Sequence, residues 1–370
     1  MVKLVIEKLP NYNPKVEIVE IKGQGHPDTI CNSLVEKSSQ ALSKYYLNHF
    51  KKIMYFNIDK ALLIAGTSKP RFGGGEIINP MRIIIAGKAT KKVGNIKVPV
   101  EEIIKKVVNG LMSEFNVEYG LEIDIKEGSS SLKDCFKRTV PVANDTAVGS
   151  AFYPPSSLSE LVKKTAEHLV SKEFKKRFKS TGYDIKINGL REGRNITLTI
   201  ALAFIDRCLK DLEDYRKTKH DIKNYLEKRT NAIININTLD SYEDQSTVYL
   251  TVTGLSAEMG DGGCTGNGNL YYGIISSLMP MSNECPFGKN VNHPEKLYQA
   301  IANKIAENLV KKAELNKVHV IAMTEIGKPL DSPYIVSIKA SGKIDLRQVK
   351  EIVDNEFINI TKTQQEIIFS

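Results

Sequence analysis

Six stretches of the chain repeat apolar side chains at intervals of three and four residues, the period of a helix with one face turned to a core. The spacing predicts a first helix over residues 29–50, burying Ile30, Leu34, Ala41, Leu42 and Tyr45. A second starts near Pro99, with Ile103, Ile104, Val107, Val108, Leu111, Met112 and Phe115 on one stripe. A third opens at Ser156 or Ser157 and carries Leu158, Leu161, Val162, Leu169 and Val170. Three more are predicted around residues 209–228, 294–315 and 346–357.

Between these helices the period drops to two. Over residues 195–204, Ile196, Leu198, Ile200, Leu202 and Phe204 alternate with Thr197, Thr199, Ala201 and Ala203, as a strand with two unlike faces requires. The bulky face suits covering by helices; the small, flat one suits a second sheet or a second subunit. Further strands are predicted at 15–21, 61–65, 81–86, 248–252, 318–323 and 334–338. Each third of the chain then holds several strands and two helices, which favours an α+β fold over a doubly wound parallel sheet. At 370 residues, three α+β domains are expected, at about 1–125, 126–250 and 251–370, with strands free to exchange between them.

Composition narrows the class. With 41% hydrophobic and 26% charged residues the balance is that of a soluble globular protein, and no apolar run is long enough to span a bilayer. The opening residues carry Lys3 and Glu7 and lack a signal-peptide layout, so a cytoplasmic protein is expected. Five scattered cysteines without a C-x-x-C pair imply neither a zinc site nor a disulfide frame. The net charge of +9 comes from many lysines, without the clustered arginines and exposed aromatics of a nucleic-acid binder. No nucleic-acid or membrane partner is expected, and a polyanionic small molecule accounts for part of the charge.

The candidate chemistry starts at Gly25-His26-Pro27-Asp28, directly before the first predicted helix. Glycines let the backbone approach a ligand, and proline suits the first helical position. His26 and Asp28 then sit at the positive end of the helix, where free N–H groups favour phosphate. A carboxylate beside a phosphate suits a bridging Mg²⁺. The same four residues also read simply as a well-capped helix. Three glycine-rich segments, each beside a carboxylate, add to the first reading: residues 71–76, 128–131 before Asp134, and 254–273.

Taken in order, Gly25-His26-Pro27-Asp28, Phe72-Gly73-Gly74-Gly75-Glu76, Ala143-Asn144-Asp145-Thr146 and Gly189-Leu190-Arg191-Glu192-Gly193 form one series of motifs. Val252-Thr253-Gly254 through Gly260-Asp261, then Gly288-Lys289-Asn290 with Asn292-His293, complete it. In order and rough spacing, over residues 15–335, the series resembles archaeal-type S-adenosylmethionine synthetases (methionine adenosyltransferases).

The resemblance implies a transferase that joins L-methionine to ATP. Sulfur attacks C5′ of the ribose and expels tripolyphosphate, which the same site hydrolyses to phosphate and diphosphate. It implies Mg²⁺, and K⁺ as the monovalent activator. It also implies three similar α+β domains about a pseudo-threefold axis, and a homodimer or tetramer with active sites between subunits. By position, His26 resembles a triphosphate-contacting histidine, Lys289 a phosphate-contacting lysine, and Asp28 a Mg²⁺ ligand. Asp59 resembles the acid linked to monovalent-cation activation, and Glu76 the one that holds the methionine ammonium. Asp145 and Asp261 resemble acids of the adenosine and methionine sites, and Arg194 and Lys60 are candidates for the cationic wall. Lys126, Glu127, Gly128, Ser129, Ser130 and Ser131 line up with a nucleotide-binding loop.

The chain departs from the pattern at Asn267 and Leu270, where basic residues are usual, at Asn32 in place of an aspartate, and at Lys126 and Ser131. Two other classes stay open at this level: a basic RNA-binding protein, and an enzyme relic that binds nucleotide without turning it over.

Overall fold

The computed structural model describes residues 2–10, 14–130, 132, 141–267 and 273–370, Gln245 by its backbone alone. All six predicted helices are present, at Pro27–Phe50, Val100–Ser113, Ser157–Val170, Leu212–Thr230, Pro294–Lys312 and Leu346–Ile358. Short polar side chains start them: Ser156 accepts the N–H of Ser159, Asp211 that of Asp214, and Asp345 those of Arg347 and Gln348. Two shorter helices, Lys172–Arg177 and Ile360–Phe369, go beyond the prediction. No described helix is long and apolar enough to cross a membrane.

Among the described residues, three sheets of four or more strands each back one pair of long helices and one buried apolar cluster. The first sheet runs Gly263–Cys264, Phe56–Ile64, Met81–Ala89, Tyr119–Lys126. The helices Pro27–Phe50 and Val100–Ser113 cover it, through Ile30, Leu34, Leu42, Ile104 and Val108. The second runs Ile233–Ile236, Asn195–Ile205, Thr181–Glu192, Val16–Lys22, Ile275–Ser276, with Leu250–Thr251 beside the end of Asn195–Ile205. Ser157–Val170 and Leu212–Thr230 cover it. The third runs Leu4–Lys8, Ile335–Ser341, Lys317–Met323, Val148–Tyr153, packed on Pro294–Lys312 and Leu346–Ile358. The architecture is mixed α+β, as expected. Each sheet draws strands from distant parts of the chain.

The differences from the predicted elements are informative. The segment 248–252 pairs only at Leu250–Thr251. Thr181–Glu192, the longest strand, was not among the predicted ones, because Gly182, Asp184, Asn188 and Gly189 are poor strand formers. On the first helix Tyr46, not Tyr45, is fully buried, and its hydroxyl donates to the Thr90 carbonyl at 2.7 Å. Ser38, Ser39 and Ser43 are buried too; Ser38 Oγ donates to the Leu34 carbonyl at 2.7 Å, and Ser39 Oγ to that of Lys289, in the 288–296 segment, at 2.8 Å.

Asn195–Ile205 has the two faces its sequence predicts. Leu198, Ile200, Leu202 and Phe204 are buried, while Thr199 and Ala201 are exposed. The open face continues across the register: Ile233 opposite Thr197, Thr197 opposite Leu190, Leu190 opposite Ile18. Ile18 and Ile233 are 52% and 55% exposed, an unusual state for isoleucine in a sheet. At the other end of that face Lys22, Lys186 and Ala201 stand side by side.

Candidate active site

Lys22 ends one strand of the second sheet, and the chain turns through Gly23 and Gly25 into the helix Pro27–Phe50. The turn is pinned to the neighbouring strand, Gly23 N–H on the Ile185 carbonyl at 2.6 Å and Gly25 N–H on that of Tyr183 at 3.1 Å. A Cβ at position 25 would lie 2.4 Å from the Tyr183 carbonyl carbon, so only glycine allows this approach. His26 is the N-cap, its Nδ1 accepting the Asp28 N–H at 3.2 Å, with Pro27 at the first helical position. That bond fixes the tautomer: the proton sits on Nε2, which faces Asp261 Oδ2 at 3.9 Å. Burial lowers the His26 pKa against the opposing pull of Asp184 and Asp28, so the ring is neutral near pH 7.

Asp28 is buried at the same helix end. Its Oδ2 takes the Lys22 ammonium at 2.7 Å and its Oδ1 the Cys264 N–H at 3.0 Å. Against the upward push of burial, these partners hold its carboxyl below the usual range. Asp184 is buried beside His26 and accepts from Tyr249 Oη at 2.7 Å and Ser256 N–H at 3.2 Å. Burial raises its pKa. Asp261 hangs over the group, in contact with Ser256 Oγ at 3.4 Å. The 260–267 loop is tied down at both ends. Gly263 packs where a side chain would strike Pro27, and Asn32 exchanges hydrogen bonds with Gly266 N–H at 2.9 Å and the Asn267 carbonyl at 3.3 Å. Asn32 therefore fixes the loop, and Asn267 turns its amide onto Cys264 Sγ at 3.1 Å.

A second cluster surrounds Lys289. Gly288, at φ +74°, lets the loop pack on the Ile58 carbonyl, and Gly288 N–H donates to Glu36 at 3.0 Å. The Lys289 ammonium pairs with Glu295 and lies 3.8 Å from Glu284. Burial lowers its pKa, while Glu284 and Asp59 pull it up. Asp59 is paired with Lys60 at 2.7 Å. Asp145, His293 and Glu295 each place one ligand-type atom within 4.8 Å of the others. Burial, helped by Lys289, pushes the His293 pKa down to about 3.

Thus His26, Asp28 and Asp261 come together in one group, and Asp59, Lys60, Asp145 and Lys289 share the other. Glu76 is exposed, beside the loop that Asp206 anchors through Gly75 N–H at 2.6 Å. Arg194 sits at the Gly193 hairpin tip, eight strand positions beyond Asp184 and so about 25 Å from it. The structure does not bring it to His26. Lys126 pairs with Asp124 at 2.7 Å, Glu127 accepts the Lys91 N–H at 2.8 Å, and Gly128 lies against Tyr55. Ser129 and Ser130 are exposed; Ser131 and Leu270 lie outside the described residues. Lys22, Lys186, Asp184 and Tyr249 belong to the first group although sequence reasoning passed over them. For Asp184 and Lys186 the one signal was their alternation with Ile185 and Ile187.

The comparisons with known proteins agree with the motif series. The family model of S-adenosylmethionine synthetase (AdoMet synthetase) matches residues 2–370. An S-adenosylmethionine synthase of Caldivirga maquilingensis is 38% identical, covering 96% of this chain and 95% of its own. One of Methanothermobacter marburgensis is 40% identical, covering 90% and 88%. A solved S-adenosylmethionine synthetase from Campylobacter jejuni, 13% identical, superposes with a TM-score of 0.63 over 94% of this chain and 89% of that one, a likeness of fold. The chain belongs to the S-adenosylmethionine synthetase family of enzymes.

Proposed function

We propose that the protein forms S-adenosyl-L-methionine from ATP and L-methionine by in-line attack of sulfur on C5′, and then hydrolyses the expelled tripolyphosphate. The observation that carries this reading is His26 capping a helix N-terminus, flanked by Lys22 and Asp28. The reaction turns a neutral sulfur into a sulfonium and leaves a polyanion, so it needs no strong base. It needs donors and cations set in advance around the phosphates, and a sulfur held in line. His26 offers an Nε2–H donor, the helix its free N–H groups, and Lys22, paired with Asp28, and Lys186, paired with Glu20, ammoniums nearby.

Asp28, Asp184 and Asp261 are oxygen donors of the kind hard Mg²⁺ takes, with phosphate and water completing its shell. Bound there, Mg²⁺ would neutralise charge on the phosphates; Lys22 would give up Asp28 to it. For K⁺ we propose Asp59 as the protein ligand, beside Lys289. Glu76, Asp145 and the 126–131 segment are proposed for methionine and nucleotide.

We further propose that a second copy completes each site, in the cytoplasm. The two residue groups and the exposed apolar row Ile18, Leu190, Thr197, Ile233 support it, because a partner on that face would cover the row and bring its own lysine group. Three sheet-and-helix-pair units support the pseudo-threefold arrangement and the division near residues 125 and 250, with exchanged strands. The test is incubation of purified protein with ATP, L-methionine, Mg²⁺ and K⁺, followed by chromatography of the product. S-adenosylmethionine is expected. ATP bound without product would instead leave a nucleotide-binding relic.

A further inference from the structure

We propose that the cavity between the helices Pro27–Phe50, Pro294–Lys312 and Ile360–Phe369 binds a small uncharged heteroaromatic molecule with an N–H donor, and that filling it shifts the segment carrying Lys289. The cavity holds about 570 Å³, within the range of small-molecule sites, and its wall includes Gln40, Pro286, Phe287, Ala300, Asn303 and Ile367. None of the residues proposed for substrates or metals lines it.

Three observations fix the kind of ligand. The four charged side chains on the wall pair with one another, Lys296 with Glu36 at 2.7 Å and Lys304 with Glu366 at 3.0 Å. A charged ligand would have to break one of these pairs, whereas an uncharged one leaves them intact. Pro286, Phe287, Ala300 and Ile367 supply apolar surface, and the Phe287 ring suits contact with a second ring. Against that surface stands Asn303 Oδ1, buried and without a hydrogen-bond partner among the described residues. Buried polar atoms are nearly always satisfied, so this oxygen marks the place for a donor that the ligand brings.

The chain itself ties the cavity to Lys289. Pro286 and Phe287 lead directly into Gly288 and Lys289. Gly288 N–H donates to Glu36 at 3.0 Å, and the Lys289 carbonyl accepts from Ser39 Oγ at 2.8 Å. A Cβ on Gly288 would strike the Ile58 carbonyl oxygen, so that residue has no slack to absorb a movement of Phe287. The effect on turnover rests on the role proposed for Lys289; the site itself does not.

The chain has no tryptophan, so Phe287→Trp places a single indole reporter in the cavity wall. This variant is titrated with benzimidazole, which is planar, uncharged at neutral pH and carries one N–H, without ATP or methionine. The emission should change to saturation at one molecule per chain. Asn303→Leu in the same background should weaken the affinity about tenfold, the scale for one lost hydrogen bond. No saturable change, or an affinity untouched by Asn303→Leu, overturns the site, as does tighter binding of benzimidazole-5-carboxylate. Displacement by ATP with Mg²⁺ would put the probe in the nucleotide site and overturns it too. Should Phe287→Trp fail to fold, saturation-transfer NMR on the unsubstituted protein and on Asn303→Leu makes the same comparison. In the assay for S-adenosylmethionine, saturating benzimidazole should lower kcat at least twofold with KM for both substrates unchanged, and Asn303→Leu should remove that inhibition. Binding without inhibition refutes the link to Lys289. A protein that makes no S-adenosylmethionine would refute the proposed reaction, and the binding titration would still decide the site.

Discussion

His26 shows how much one side chain can settle. It caps the helix through Nδ1, and that same bond directs its remaining N–H outward. Asp28, the second residue of that helix, holds the Lys22 ammonium at 2.7 Å. Asp28→Asn should leave the fold intact, because Oδ1 still accepts the Cys264 N–H, but turnover should fall and need more Mg²⁺. Rate against Mg²⁺ concentration checks this; a wild-type curve refutes it. Lys289→Met should slow S-adenosylmethionine formation about 10²–10³-fold, the scale for losing one preorganised charge-stabilising donor. A lowered melting temperature with undiminished turnover would assign Lys289 to packing. A third residue reports on stability alone. His319 is buried, with Nε2 3.0 Å from Ser150 Oγ, and burial plus the neighbouring Lys339 lowers its pKa below 6.5. The unfolded chain therefore takes up a proton first as pH falls. Stability from this group is present above about pH 6.5 and is lost below it. Denaturation from pH 7.5 to 5 should show that acid limb, flattened in His319→Gln.

At the scale of elements, loops are placed by buried carboxylates and tight glycines. Asp206 receives the N–H groups of Arg71 and Gly75, and Glu258 those of Val252 and Thr253. Each fixes a glycine turn that alone would be mobile. The 260–267 loop is held by Asp28 and Asn32, and the neutral Asn267 stands at its exposed end, turned onto Cys264. Charge that develops at the far phosphates during tripolyphosphate hydrolysis calls for a bidentate clamp, which an amide cannot supply. Tripolyphosphate should therefore accumulate on the enzyme in a single turnover, and Asn267→Arg should speed its hydrolysis more than the first step. No accumulation, and no selective gain in the variant, would show that another cation already fills the role.

For the whole molecule, the decisive feature is a sheet closed on one face and open on the other. Ile18, Ile233 and Ile275 stand exposed on or beside a face that also carries Thr199, Ala201, Asn188 and the Lys186–Glu20 ion pair, a surface suited to a second copy. Ala201→Arg adds a charge where the single chain has room, so the fold should survive while association fails. Sedimentation should then give a monomer, with turnover reduced at least tenfold. Full activity in a monomeric particle would refute sites shared between subunits.

The sequence by itself determined what short-range physics controls. Helical periods located six helices, because each apolar stripe is set within two turns, and the cap residues His26 and Ser156 follow from local hydrogen bonding. The motif series named the family, since its order is a property of the chain alone. Tertiary structure decided what depends on strand register and loop closure. Tyr46 rather than Tyr45 faces inward because its ring stacks on Phe56 and its hydroxyl reaches the Thr90 carbonyl, both at the sheet that the helix covers. Lys22, Asp184 and Tyr249 gather at His26 only because three strands align there, whereas Arg194, similar in chemistry, is carried to the far end of the same hairpin. Asp145 and Glu295 became neighbours across 150 residues, a contact no local pattern records because its energy comes from burial shared by the whole domain.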